Sequence, residues 1–372
     1  MEEKVAWLDL ALLTRFVVDV FLGLGVPQEE AKICADVVVA ADELGIESHG
    51  IARLKSFYYD RIKAGIQFPV TNFEIIREGP TTAVVDGHLG MGQVIAAKSM
   101  ELAMAKARRC GMGMVAVRNS SHYGIAGYYV AMAAKAGMIG ITGTNARPSI
   151  APTFGVENML GTNPLAFGLP TDEEFPFILD GATSVTQRGK IELYARERKA
   201  LPAGWVMDNQ GNDVTDPLRA LEDLERGRAA LAPLGGKGEE GAGYKGYGYA
   251  AVVEILSTAL QGGVFLKGLQ KNLPEKGKGQ KEPYRLGHFF MAIDISAFTD
   301  PEDFRRRTGE LLRALRNSQK APGKQRIYTP GEKEYLAQLE RREKGVPVGA
   351  SVQREMMAMR DELGLNYRFP FE

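Results

Sequence analysis

Apolar positions along this chain alternate between helical and strand periodicity. Leu8 to Leu24 and Gln28 to Leu44 carry them at helical spacing, and Gly25-Val26-Pro27 separates the two, with Pro27 able to open the second helix. Helical spacing resumes over Phe57 to Ile66 and breaks at Pro69. Thr81 to Asp86 reads as a strand, Gly87 to Gly92 as a glycine-punctuated loop holding His88, and Gln93 to Cys110 as a long helix whose methionines fill a core. A β-branched run, Met114 to Arg118, is then interrupted by Asn119-Ser120-Ser121-His122-Tyr123-Gly124. An Ala-rich helix follows over Ile125 to Ala136, stopped by Gly137, and an apolar run resumes over Met138 to Thr142. The order is strand, loop, helix, strand, with His122 in the loop and Ser120 or Ser121 placed to cap the helix.

Downstream, Leu165 to Leu169 and Phe175 to Leu179 have the spacing of an antiparallel hairpin. Asp180-Gly181-Ala182-Thr183-Ser184 closes its second strand and opens a helix over Val185 to Arg198. Arg228 to Leu234 reads as a strand and Gly235 to Gly248 as a glycine-rich loop leading into an apolar helix, Tyr249 to Gln261. Backbone amides of such a loop, with Lys237 and Lys245 nearby, can cradle a phosphate at the helix start; a flexible lid is the alternative. Gly262 to Arg285 reads as a mobile lysine-rich loop and Gly287 to Asp294 as a buried strand. Pro301 to Asn317, Lys333 to Lys344 and Val352 to Leu363 read as helices.

A chain of 372 residues suits two or three domains. Lys plus Arg and Asp plus Glu number 46 each, so no charge excess points to nucleic acid or an anionic membrane. No run of about 18 apolar residues exists to span a bilayer, and the N-terminus lacks a signal-peptide core. Cys34 and Cys110 have no CxxC spacing, which suits a reducing cytoplasm. His49, His88, His122 and His288 show neither HxH nor HExxH spacing, so no metal site is expected. The expectation is a cytoplasmic enzyme.

His122, beside a helix N-terminus, is placed to move a proton, because the dipole there lowers an imidazole pKa and favours anions. A structural loop histidine would satisfy the same pattern. Glu47-Ser48-His49-Gly50-Ile51-Ala52-Arg53 offers a second candidate. If a helix restarts near Ser48, His49 and Arg53 lie four apart on one face and present a hydrogen-bond donor beside a guanidinium fork, which is what a 2-oxo or 2-hydroxy carboxylate needs. A solvated helix end with Glu47 and Arg53 paired is the alternative. The dinucleotide fingerprint G-x-G-x-x-G has two imitations, at Gly236, Gly238 and Gly241 and at Gly111, Gly113 and Ala116, and neither stands between an early strand and its helix. A doubly wound nucleotide fold is therefore not expected.

Taken together, Glu47-Ser48-His49-Gly50-x-x-Arg53, Asn119 to Gly124, Gly161-Thr162-Asn163-Pro164, Asp180 to Ser184, Gly243-Tyr-Lys-Gly-Tyr-Gly248, Gly287-His288-Phe289-Phe290 and Pro330-Gly331-Glu332 resemble the type 2 malate/L-lactate dehydrogenase family, in order and over nearly the full length. The resemblance implies an α/β fold with a non-Rossmann cofactor domain, built on a mixed, largely antiparallel sheet at 76–298. It implies a helical domain formed from both chain ends, 1–75 and 299–372, and a homodimer with sites near the interface. It implies an NAD- or NADP-dependent oxidoreductase interconverting a small (S)-2-hydroxy acid, of malate or lactate type, and its 2-oxo acid. A cyclic imino acid reductase and a ureidoglycolate-type dehydrogenase are the chemical alternatives, and a non-catalytic nucleotide-binding dimer the alternative of another class. By the same resemblance Ser48, His49 and Arg53 face the substrate, with Arg53 on its carboxylate. His122 or His49 transfers the proton, with His122 favoured. Asn145 and Ala146 stand where relatives place substrate contacts, and Ala146 cannot supply a polar one. Asp180, Gly181 and Ala182 match a cofactor-contacting turn, Lys245 and Gly246 a phosphate or nicotinamide contact, and Pro330, Gly331 and Glu332 a segment closing over the cofactor.

Overall fold

The computed structural model describes residues 5–270 and 284–372; the centre of the expected lysine-rich loop lies outside them. A seven-stranded sheet runs through the middle of the chain, in the order Glu74–Glu78, Thr82–Asp86, Met112–Ser120, Leu286–Asp294, Met138–Thr144, Leu165–Leu169, Phe177–Gly181. Only the Thr82–Asp86 and Met112–Ser120 strands pair in parallel, so the sheet is mixed and largely antiparallel, as expected. Helices Gly92–Cys110 and Ala126–Lys135 share a core with the sheet, in which Val85, Met100, Val117, Tyr129, Val130 and Phe290 are buried. Gly140 and Gly168 let the second of these helices sit close, since a Cβ on either would come within about 3 Å of Val130 or Ala133.

A second core joins the chain's two ends. Leu13, Phe16, Val17, Val20 and Phe21 of helix Leu10–Gly23 and Cys34 and Val38 of helix Gln28–Glu43 pack with Val346, Met356, Met359 and Phe369. Strand Ala6–Leu8 pairs with Val346–Val348, far away in sequence, in a two-stranded ribbon. A third core lies around Ile191, Leu201, Val206 and Leu231.

Most expected elements appear within a residue or two: Ala126–Lys135 ends with Gly137 at φ +75°, and Leu165–Leu169 pairs antiparallel with Phe177–Gly181. Five expectations are corrected. The expected helix at 185–198 is trimmed to Arg188–Arg196, and the strand at 228–234 to Ala229–Leu231. The Gly-Tyr-Lys-Gly-Tyr-Gly stretch is helix rather than loop, because helix Gly243–Thr258 starts at its first glycine. Gly243 and Gly246 pack on backbone there: a Cβ would lie 1.8 Å from the Gly236 carbonyl and 2.2 Å from that of Leu234. Neither Ser120 nor Ser121 caps the Ala126–Lys135 helix, whose N-cap is Ile125; the Ser121 hydroxyl instead accepts the Gly92 N–H at 2.9 Å, at the start of the Gly92–Cys110 helix. Finally, no helix restarts at Ser48. A short helical turn, Ile51–Arg53, leads into a π-helical turn, Leu54–Tyr59, and then Asp60–Lys63.

Candidate active site

Ser48 and His49 stand in the turn ahead of Ile51, so His49 and Arg53 are not stacked on one helical face. A cap supplied from elsewhere shapes that turn. Asp42, 1% exposed near the end of helix Gln28–Glu43, accepts the Ile51 N–H at 2.7 Å, and burial, its main influence, pushes its carboxyl up to about 8. Gly50 lies against this carboxyl, where a Cβ would come 2.0 Å from Oδ1. Arg341, from helix Glu332–Lys344, bonds the Asp42 carbonyl at 3.4 Å and ion-pairs with Glu47. The alternative of a solvated helix end with Glu47 and Arg53 paired does not hold, since Glu47 pairs with Arg341.

Within the turn, the Ser48 hydroxyl lies 2.9 Å from His49 Nδ1, and Arg53 Nε donates to the Ser48 carbonyl at 2.6 Å. The His49 ring stacks on His122 with centroids 5.8 Å apart. A π-turn widens the helix by a residue, and here successive side chains both reach His122: the Phe57 ring at 4.8 Å and the Tyr58 hydroxyl, 2.7 Å from Nδ1. The Gly124 N–H also points at that Nδ1, at 3.3 Å. An amide can only donate, so Nδ1 accepts and the neutral ring keeps its proton on Nε2. On the far side Gly92 presses on the loop, where a Cβ would lie 2.4 Å from the His122 carbonyl. Residues 49–58, distant from His122 in sequence, thus hold its imidazole together with Gly124 of its own loop, and the start of the Gly92–Cys110 helix braces that loop.

The site's electrostatics keep both rings neutral. Burial, then Arg53, lowers the His49 pKa to about 4. Burial, then His49, Arg61, Arg53 and His288, holds His122 well below the usual imidazole value. His288 is fully buried behind them, stacked on Tyr123 at 4.6 Å with Nδ1 bonded to the Thr144 hydroxyl at 2.7 Å, and burial takes it down to about 3. Tyr58→Phe removes the hydroxyl that holds His122; we expect turnover about 10-fold lower with an unchanged melting temperature, read by steady-state assay and thermal melt.

The remaining candidates form two groups. Asp180, Pro330 and Gly331 line a groove of about 920 Å³ together with Tyr128, Phe175 and Tyr328. The groove also reaches Ile46 and Ile125, three residues along the chain from His49 and His122. Asp180 accepts the Gly127 N–H at 2.6 Å, so it caps helix Ala126–Lys135 rather than the helix that follows it. Gly331 closes on the edge strand, where a Cβ would lie 2.8 Å from the Pro176 carbonyl. Glu332 turns inward, accepting the Thr329 N–H at 2.9 Å and pairing with Arg326, so its side chain shapes the turn. Lys245 is exposed, and Gly246 packs on Leu234, whose N–H bonds the Thr183 carbonyl at 2.8 Å; this links both to the turn holding Gly181 and Ala182. Lys237 is engaged elsewhere, on Asp213 and the Gly211 carbonyl, both at 2.9 Å. Asn145 is also occupied, accepting the Gly287 N–H at 2.9 Å, and the Ala146 N–H bonds Asn163. Gly189 had no sequence signal, yet it lies 3.6 Å from Ser48 and 4.0 Å from Arg53, measured from where its Cβ would be.

Residues 8–357 match the family described as malate/L-lactate dehydrogenase. The chain is 46% identical to a malate dehydrogenase of Pyrococcus abyssi over 95% of its own length and 94% of that protein's. The chain belongs to the malate/L-lactate dehydrogenase family. Within the family it is also 39% identical to an L-sulfolactate dehydrogenase of Methanocaldococcus jannaschii, over 95% of this chain and 96% of the relative. The crystal structure of a malate dehydrogenase from Entamoeba histolytica superposes with a TM-score of 0.94 at 42% identity, covering 98% of this chain and all of that one. Membership makes this chain a nicotinamide-dependent dehydrogenase, as the sequence motifs imply.

Proposed function

We propose that this protein interconverts an (S)-2-hydroxy acid and its 2-oxo acid, using NAD or NADP, with Arg53 on the substrate carboxylate and His122 moving the proton. The observation that carries the reading is the convergence of Ser48, His49, Arg53 and His122 on one ring stack in a chain of this family. The residues fit a dinucleotide. A groove of this size is at the large end of ligand pockets, and it offers aromatic faces and a carboxylate beside the histidine-bearing turns. Asp180, Pro330 and Gly331 would hold the cofactor along the groove, Gly181 and Ala182 in the adjoining turn and Lys245 and Gly246 at the helix start tied to that turn, while Glu332 shapes the closing segment from within. When bound, the nicotinamide gives or takes the hydride.

The chain's own residues do the rest. Arg53 fixes the carboxylate as a two-toothed guanidinium fork and so orients the neighbouring carbon. In reduction His122 takes a solvent proton at Nδ1, where the Tyr58 hydroxyl turns to accept it and the longer Gly124 contact gives way, so that passing the Nε2 proton to the substrate oxygen leaves a neutral ring. Oxidation runs these steps in reverse: the ring with its proton on Nδ1, donated to the Tyr58 hydroxyl, takes the substrate hydroxyl proton at Nε2 and then releases the Nδ1 proton to solvent. Ser48 orients His49, whose neutral ring walls the site without adding charge.

A second copy of the chain is part of the proposal. Helix Gly243–Thr258 buries Gly246, Ala250, Val253, Glu254 and Ser257 and shows an apolar stripe outward: Tyr249 is 55% exposed, Val252 51% and Ile255 57%. Such a face is expected to be covered by the same face of a partner. The test of function is loss of reduced-nicotinamide absorbance with purified protein, NADH or NADPH, and oxaloacetate, pyruvate, sulfopyruvate or a cyclic imino acid. Oxidation with a 2-oxo acid is expected. Turnover of the imine alone, or of nothing, overturns the reading.

A further inference from the structure

Arg61 is a charge that the carboxylate clamp does not use. Its guanidinium carbon lies 4.5 Å from the centre of the Phe57 ring, while that of Arg53 lies 5.1 Å from the same centre. Phe57 in turn meets His122 edge-on. Two guanidinium groups therefore share one aromatic ring at the mouth of the histidine stack. Among the described residues neither forms an ion pair: Arg53 bonds only the Ser48 carbonyl, and Arg61 rests on the rings of Phe57 and Tyr284, at 5.1 Å from the latter. Glu355 is close enough to feel Arg53 but forms no ion pair with it. Arg147, past the end of strand Met138–Thr144, adds to the positive field on Arg61, and Arg61 acts on His122 more strongly than Arg53 does. Like charges gathered in a half-buried site with no ion-pair partner among the described residues repel one another, and an anion that enters relieves this. One carboxylate satisfies one guanidinium fork and leaves the other unmatched.

We propose that Arg61 is the specificity-determining residue of this site, binding the distal anionic group, carboxylate or sulfonate, of a dianionic 2-oxo acid whose first carboxylate Arg53 holds. The inference rests on the reading of the site as a 2-oxo acid reductase. It separates three-carbon monoanions such as pyruvate, which leave Arg61 unpaired, from dianions, which pair both arginines. Phe57 spaces the two charges, and its rigid ring fixes the distance the substrate must span.

The test compares kcat/KM for oxaloacetate, sulfopyruvate and pyruvate in the full-length protein, in Arg61→Gln and in Arg61→Lys. The wild type is expected to favour at least one dianion over pyruvate by about 100-fold, and the better of the two identifies the distal group. Arg61→Gln is expected to collapse that ratio by tens of fold, mainly through KM, with Arg61→Lys restoring part of it because charge survives without the planar fork. Equal use of pyruvate and both dianions by the wild type would overturn the proposal and leave the reductase reading standing. So would Arg61→Gln lowering all three in parallel. Silence with every 2-oxo acid would remove the reductase reading itself.

Discussion

His122→Ala is expected to cut turnover of a 2-hydroxy acid about 1,000-fold, with the fold intact and cofactor affinity changed little. The ring is fixed on one nitrogen by Tyr58 and Gly124, which leaves the other for the substrate; the loss therefore falls on proton transfer rather than on binding. His49→Ala should cost less, because His49 is tied to Ser48 next door and meets His122 only face to face. The pH dependence follows from the sign of the shift. A histidine whose pKa is held down stays neutral, and so able to accept a proton, at pH values where a solvated ring is already charged. Oxidation rates should hold through pH 6.5 and fall only well below it. A pH–rate profile bending at the ordinary imidazole value, or equal losses in the two variants, would contradict this assignment.

Gly50→Ala is expected to have the largest effect of any single methyl group in the site. The added carbon would occupy the place of Asp42 Oδ1, and that carboxyl group is buried and caps Ile51. Either the cap is lost or the turn moves. Overpacking together with a lost buried hydrogen bond costs about 2–4 kcal/mol, which a denaturant titration reads directly. Because Ser48 and His49 precede the glycine and Arg53 follows it, a displacement of even about 1 Å separates the carboxylate clamp from the proton donor, for a further loss of about 100-fold in kcat/KM. A stable, fully active Gly50→Ala protein would show that the turn is not held by Asp42.

Much of this was legible in the sequence, and the exceptions share a cause. The strands and helices around His122 follow from periodicity and from Gly137, which are local signals. What was not legible depends on contacts between distant segments. Ser121 caps the Gly92 helix because strands Thr82–Asp86 and Met112–Ser120 run in parallel, which brings the loops after both strands to the same end of the sheet. The stretch at 243–248 looked like loop because glycines disfavour helix; packing against the carbonyls of Gly236 and Leu234 outweighs that preference. Asp42 did leave a trace: it follows Cys34 and Val38 at intervals of four, a carboxylate where the stripe calls for an apolar residue. Gly189 and Arg341 left none, since nothing near them in the chain refers to the turn they touch.

The ribbon that joins Ala6–Leu8 to Val346–Val348 sets an order of events during synthesis. While the ribosome is still translating, Phe16, Val17, Val20 and Phe21 have emerged but Met356, Met359 and Phe369, which share their core, have not. The central sheet has all its strands once residue 294 is out and can form first, with the early helices waiting as an adhesive apolar surface. A nascent chain stalled before residue 346 should therefore be a strong chaperone client, and one released past residue 369 should not.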